Sequence, residues 1–182
     1  LSWLLEDMRG IRLLDAGCGT GALAMEAMRR GAQVVAIDLS PTLVQLARER
    51  SVHEFQNGPG SIEFLAGDML DPNMGHFDYV VAMDSLIHYD THDIVQAIYG
   101  LTLRTRKAII FTFAPRTALL AALHRVGRMF PRSDRSPALE PVAQVALERE
   151  LTRRLTHPVW NPQRSQRIAH GFYTSQAWEW SR

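Results

Sequence analysis

The first 113 residues alternate short apolar runs with amphipathic stretches. The runs IRLLDAG (11–17), AQVVAID (32–38), SIEFLAG (61–67), FDYVVAM (77–83) and KAIIFTF (107–113) have strand length and carry β-branched or aromatic residues. Between them, residues 21–30, 41–52 and 91–101 show helical spacing of apolar positions. Asp90 followed by Asp93 has the form of a helix N-cap with an acid in the first turn. Strands that alternate with helices predict βαβ units, and hence an α/β fold whose mostly parallel sheet carries helices on both faces.

The pattern changes after Phe113. PRTALLAALHRVGRMF (115–130) predicts an amphipathic helix with Leu119, Leu120, Leu123 and Val126 on one side. FPRSDRSP (130–137) has two prolines that fix φ and remove donors, so it predicts a stiffened loop carrying Arg132 and Arg135. A helix is expected near 138–155, a loop over THPVWNPQRSQ, and a last strand around 167–174. Trp178 and Trp180 read as terminal packing. The 182 residues suit one domain, with residues 1–113 as a ligand-binding half, 114–164 as an inserted helical part and 165–182 as a final strand and tail. LSWLLEDM reads as the end of a helix already under way, so a preceding segment is expected.

Composition adds two points. Hydrophobic residues make up 46% and charged residues 21%, the balance of a soluble globular chain, with no apolar run of membrane-spanning length. The lone cysteine, Cys18, excludes an internal disulfide and fits a reducing, cytoplasmic compartment. The net charge of +1 hides an asymmetry: residues 1–100 sum to −8 and residues 101–182 to +9. Such a split suits a cationic ligand near the first half and an anionic ligand or acidic partner near the second.

The candidate chemistry begins at LLDAGCGTG, which follows a strand and opens a helix. Gly17, Gly19 and Gly21 permit a tight turn and close approach of a ligand to the backbone. Asp38 ends the second strand, where a carboxylate can accept hydrogen bonds from two ribose hydroxyls. Asp68, in AGDM, is a third acidic group at a strand's C-terminal end, the edge at which such sheets bind ligands. Nothing near Cys18 would activate a thiolate, so it reads as a small residue inside the turn. His88 and His92 in HYDTH are separated by the expected helix start at Asp90, which argues against a protein-bound metal.

The spacing DAGCGTG…AIDLS…AGDML resembles the class I S-adenosylmethionine-dependent methyltransferases over residues 11–113. That resemblance implies a Rossmann-like class I methyltransferase sheet with a C-terminal substrate-binding insertion, and S-adenosylmethionine as cofactor. It places Gly17, Gly19 and Gly21 against the cofactor's methionine part, Asp38 at the ribose and Asp68 at the adenine, with Asp15 positioning the turn. Cys18, Leu39, Met69 and Met83 join the cofactor-binding set. Further along, MDSLIHY (83–89), FTFAPRT (111–117), VGRMFPRSDRSP (126–137) and GFYTSQA (171–177) resemble the magnesium-protoporphyrin IX O-methyltransferases of (bacterio)chlorophyll synthesis. Members of that family begin earlier, with an N-terminal helical arm that is missing here.

This second resemblance implies esterification of one propionate of magnesium-protoporphyrin IX, the magnesium arriving inside the substrate. Its further implications are a partner in the porphyrin-binding subunit of magnesium chelatase and a peripheral place at the photosynthetic membrane. His88 is then expected to orient the reacting carboxylate as a hydrogen-bond donor. Tyr89, Arg116, Arg132 and Arg135 form the substrate-binding set, the arginines gripping the non-reacting propionate. Three other readings stay open or are weakened. A methyltransferase acting on another amphipathic anion or a quinone-like ring would keep the same first half. A non-catalytic binding protein is disfavoured by the joint presence of Asp15, Asp38 and Asp68. Nucleic acid is disfavoured as a partner, because there is no N/D-P-P-Y/F motif and the basic residues are not interleaved with aromatics.

Overall fold

A computed structural model describes residues 3–52, 59–116, 140–170 and 173–182. Seven strands form one sheet: β1 (Arg12–Ala16), β2 (Gln33–Asp38), β3 (Ser61–Ala66), β4 (Phe77–Ala82), β5 (Thr105–Phe113), β6 (Asn161–His170) and β7 (Tyr173–Ser181). Four helices are α1 (Ala22–Arg29), α2 (Pro41–Ser51), α3 (Thr91–Thr102) and α4 (Gln144–Arg154). The strand order is β3-β2-β1-β4-β5-β7-β6. The first five strands pair in parallel, and β7 runs antiparallel to both β5 and β6. This is the expected α/β, Rossmann-like sheet. The order reverses between β1 and β4, the switch point where open α/β sheets bind ligands.

Local chemistry accounts for the element ends. Ser40 accepts a hydrogen bond from the Leu43 amide at the start of α2, and Pro41 occupies the first turn. Asp90 accepts from the Asp93 amide at the start of α3, as expected. One apolar core lies under α3 and α4, with Ile94, Ile98, Leu101, Leu147 and Leu151 buried on the sheet. A second lies under α1 and α2 and includes Leu23, Ala27, Met28, Val44 and Ala47. Trp178 and Trp180 are buried in the first core, with ring centroids 5.5 Å apart in an edge-to-face arrangement. Trp178 also lies 5.7 Å from Phe113. Such aromatic pairs add about 0.5–1.5 kcal/mol each beyond burial, and they pin β7 to β5.

The C-terminal region departs from expectation. Residues 161–166, expected as loop, begin the edge strand β6, and the final strand runs to Ser181 rather than ending near 174. β6 is the sheet edge and is exposed on both faces, so it shows no hydrophobic alternation to read. An edge also tolerates Pro162, because its missing donor faces no neighbour. The helix expected at 138–155 starts later, at Gln144. Residues 3–8 lie in turns and irregular structure rather than in the end of a helix. The helix expected over 115–130 and the arginine loop fall almost wholly outside the described residues; Pro115 and Arg116 are non-helical. Among the described residues no helix is long and apolar enough to cross a membrane.

Candidate active site

The glycine turn joins β1 to α1 at the switch point. The Gly17 and Cys18 amides both donate to the Ile37 carbonyl, at 2.8 and 2.9 Å, which folds the turn onto the end of β2. All three glycines have positive φ. A Cβ at Gly21 would meet Ala47 and Phe64 at 3.1 Å, so this glycine lets α1 sit close to the second layer. A Cβ at Gly19 would meet nothing within 4 Å, so its backbone faces open space. That combination, close packing behind and open backbone in front, is what a cofactor cradle requires.

Asp38 ends β2 beside this opening. One carboxylate oxygen accepts from the Gly19 amide at 2.9 Å and the other from the Ser40 amide at 2.8 Å. Each oxygen keeps lone-pair capacity for a ligand hydroxyl. Asp15 is 2% exposed at the end of β1, and one of its carboxylate oxygens has no hydrogen-bond partner among the described residues. Burial pushes its pKa up to about 7; the Ala24 amide opposes the rise and the charge of Asp38 adds to it. Cys18 is buried, and burial followed by the charges of Asp15 and Asp38 pushes its thiol up to about 12. A thiol of that kind is inert at neutral pH.

Asp68 and Met69 follow β3. Asp68 is exposed and accepts from the Leu70 amide, while Met69 is buried. Leu39 is 68% exposed at the end of β2, on the rim of the same edge. Met83 follows β4 and is partly exposed. With Leu23, Thr112, Ile168 and Ala177 it lines a shallow apolar trough on the α1 side of the sheet.

His88 and Tyr89 lie in the loop between β4 and α3. His88 is exposed, and Tyr89 packs in part against the core under α3. Arg116 is exposed just past β5. Its amide donates to the Val142 carbonyl, and the Val142 amide to the Ala114 carbonyl, both at 2.8 Å. The Glu140 amide donates to the Ile87 carbonyl at 3.0 Å, next to His88. The chain therefore leaves the described structure at Arg116 and re-enters at Glu140, close to the His88 loop. Arg132 and Arg135 lie outside the described residues. The other expected site residues all fall at the C-terminal edge of β1–β5.

Three residues not singled out from the sequence touch this set. Ser85 packs directly on the glycine turn, since a Cβ at Gly17 would come within 2.3 Å of its Cβ. Asp84 has φ of 57° and is hydrogen-bonded to Thr112. No local pattern marks such pairings, because their partners are distant in the chain. His92, by contrast, bonds Asp93 at 3.2 Å on the exposed first turn of α3, beside the capping Asp90.

Comparison with known proteins bears on the family and the fold. Residues 82–182 match the family model described as magnesium-protoporphyrin IX methyltransferase C-terminus, and residues 13–105 match a methyltransferase domain. The magnesium-protoporphyrin O-methyltransferase of Rhodobacter capsulatus is 46% identical over 99% of this chain and 76% of that protein. A ubiquinone biosynthesis O-methyltransferase of Xanthomonas oryzae is 39% identical over 69% of this chain and 54% of its own length. Among solved structures, magnesium protoporphyrin IX methyltransferase from Synechocystis PCC 6803 with bound SAH superposes with a TM-score of 0.80 at 26% identity, over 96% of this chain and 75% of that one. The match of more than half the chain to the specific model, together with the 46% identical relative, shows that this chain belongs to the magnesium-protoporphyrin IX methyltransferase family.

Proposed function

We propose that this chain transfers a methyl group from S-adenosylmethionine to a propionate carboxylate of magnesium-protoporphyrin IX, giving the monomethyl ester. The observation that supports this most directly is the contact of the loop after β4 with the glycine turn: Ser85 rests on Gly17, three residues before His88. The acceptor side and the cofactor side of the site are therefore adjoining pieces of backbone.

When bound, S-adenosylmethionine supplies a methyl group on a cationic sulfur. Its ribose hydroxyls would lie at Asp38, its adenine near Asp68, Leu39 and Met69, and its methionine part along Gly17–Gly21 with Met83 nearby. Asp15 supports the turn from beneath. The remaining task falls on the acceptor side. A propionate, with a pKa of about 4–5, is already ionised at neutral pH, so no general base is required. The protein must instead hold a carboxylate oxygen in line with the methyl group, about 3–3.5 Å away, and keep water out. His88 acts here as a neutral donor that orients the reacting carboxylate, with Tyr89 beside it. A guanidinium on the reacting oxygens would draw off their charge, so Arg116, Arg132 and Arg135 grip the second propionate. The part of the chain from 114 to 164 is the substrate-binding insertion.

Incubation with S-adenosylmethionine and magnesium-protoporphyrin IX should yield a product one methyl heavier by mass, and a prenylated catechol, whose free ring hydroxyl a quinone-type O-methyltransferase would methylate, should be left unchanged. Methylation of the catechol alone would move the chain to a quinone-like substrate, the reading that the Xanthomonas oryzae relative favours.

A further inference from the structure

The ladder between β4 and β5 ends at the pair Ala82–Phe111. The next residues toward the site edge are Met83 and Asp84 on one strand and Thr112 on the other. Asp84 turns the chain away from the sheet with φ of 57°, a region that residues with a Cβ seldom adopt and aspartate tolerates better than most. Thr112 takes over where the ladder stops. Its hydroxyl oxygen accepts from the Asp84 amide at 2.7 Å and its hydroxyl proton donates to a carboxylate oxygen of Asp84 at 3.1 Å. Thr112 is 5% exposed and fixed within β5, so this two-way bond is anchored in rigid structure.

The loop that starts at Asp84 is held at every later step. Ser85 is wedged against Gly17, and its hydroxyl oxygen is buried without a partner among the described residues. Leu86 and Ile87 are buried, Tyr89 donates its amide to the Leu86 carbonyl at 3.1 Å, and Asp90 caps α3. Between these fixed points the His88 side chain is exposed. The Thr112–Asp84 bond sets the angle at which the chain leaves β4, and that angle is one of the constraints on where His88 points.

We propose that Thr112, through its hydrogen bonds to Asp84, is a positioning residue for His88, aiming the His88 side chain at the site where the acceptor carboxylate binds. This rests on the reading of His88 given above. Thr112→Val keeps the shape and the strand propensity but removes both bonds. It should lower kcat with magnesium-protoporphyrin IX about tenfold, the scale of one lost positioning hydrogen bond, and leave the Kd for S-adenosylmethionine within about twofold. Thr112→Ser, which restores the hydroxyl, should recover most of the rate. In a His88→Phe background Thr112→Val should cost almost nothing more, because the residue it acts through is gone. Equal losses in both backgrounds would overturn the proposal and leave Thr112 as ordinary strand packing.

One arm does not depend on turnover. In protein with labelled histidine, the imidazole resonance absent from His88→Phe identifies His88. That resonance should move in Thr112→Val and return in Thr112→Ser, while the other histidine signals stay in place. An unmoved His88 signal refutes the positioning role. A moved signal in a protein that makes no porphyrin ester supports the role and condemns the substrate assignment instead.

Discussion

Asp15 shows how a single buried carboxylate ties the site to stability. It lies under the glycine turn, and its pKa is raised by burial from the ordinary 3.8 to about 7. A group whose folded-state pKa is raised holds its proton in the folded protein over a range where the unfolded chain has lost it. Its contribution is fully present below about pH 4 and declines as pH climbs toward 7. The loss is on the order of 4 kcal/mol at most, from the size of the shift. Arginine partners work in the opposite direction elsewhere: Arg9 holds the exposed Asp7 at about 2, and Arg30 lowers Glu26. Those effects are confined to pH below about 4.5. Wild-type Tm, measured without cofactor, should therefore fall between pH 5 and 8, and Asp15→Asn should flatten that fall. The same slope in both proteins would mean that Asp15 is not the buried titrating group. The pattern of the chain could place Asp15 at a strand end, but its depth follows from α1 lying across it, a property of the assembled sheet.

Among the elements, the first five strands and α1–α3 were legible because each is one period of a βαβ repeat, bounded by glycine, proline or a capping acid. The terminal hairpin was not. β6 reads NPQRSQRIAH, polar on both faces, and it is a strand only because β7 offers a partner. β7 in turn is anchored by Trp178 against Phe111 and Phe113, pairings across more than 60 residues. The site divides the same way. The glycines and aspartates announced themselves by spacing, whereas Asp84, Ser85 and Thr112 emerged only from contacts between elements. Gly17 lies at the junction. Alanine there must adopt φ of 83° and place its Cβ 2.3 Å from that of Ser85. Gly10, with φ of 75° and open space, shares the backbone penalty alone. Gly10→Ala should cost about 1–2 kcal/mol of stability, and Gly17→Ala about 1–3 kcal/mol more from overpacking, with a large loss of S-adenosylmethionine affinity that Gly10→Ala does not share. Thermal melts and calorimetry on the two variants check this; matching behaviour would show that the loop after β4 does not press on the turn.

At the scale of the whole molecule, charge is divided along the chain, and the division matches two ligands of opposite sign. The acidic first half carries Asp15, Asp38 and Asp68 at or just past the C-terminal ends of β1, β2 and β3, where the proposed function puts the sulfonium cofactor. The basic second half contributes Arg116 beside the site, and Arg132 and Arg135 lie in the stretch between Arg116 and Glu140, both of whose flanks are hydrogen-bonded near the His88 loop. On the proposed function Arg132 and Arg135 hold the far propionate, a role that bidentate guanidinium pairs suit. Replacing both Arg132 and Arg135 by glutamine should raise the KM for magnesium-protoporphyrin IX at least tenfold, the scale of one or more charge-assisted hydrogen bonds. The KM for S-adenosylmethionine should stay within about twofold. The magnesium-protoporphyrin dimethyl ester has no carboxylate to grip, so as a competitive inhibitor it should bind the wild type and the double variant alike. If the dimethyl ester loses as much affinity as the diacid, the arginines shape the pocket rather than pair with the propionate. The anionic grip would then fall to Arg116, the described arginine that opens the same stretch.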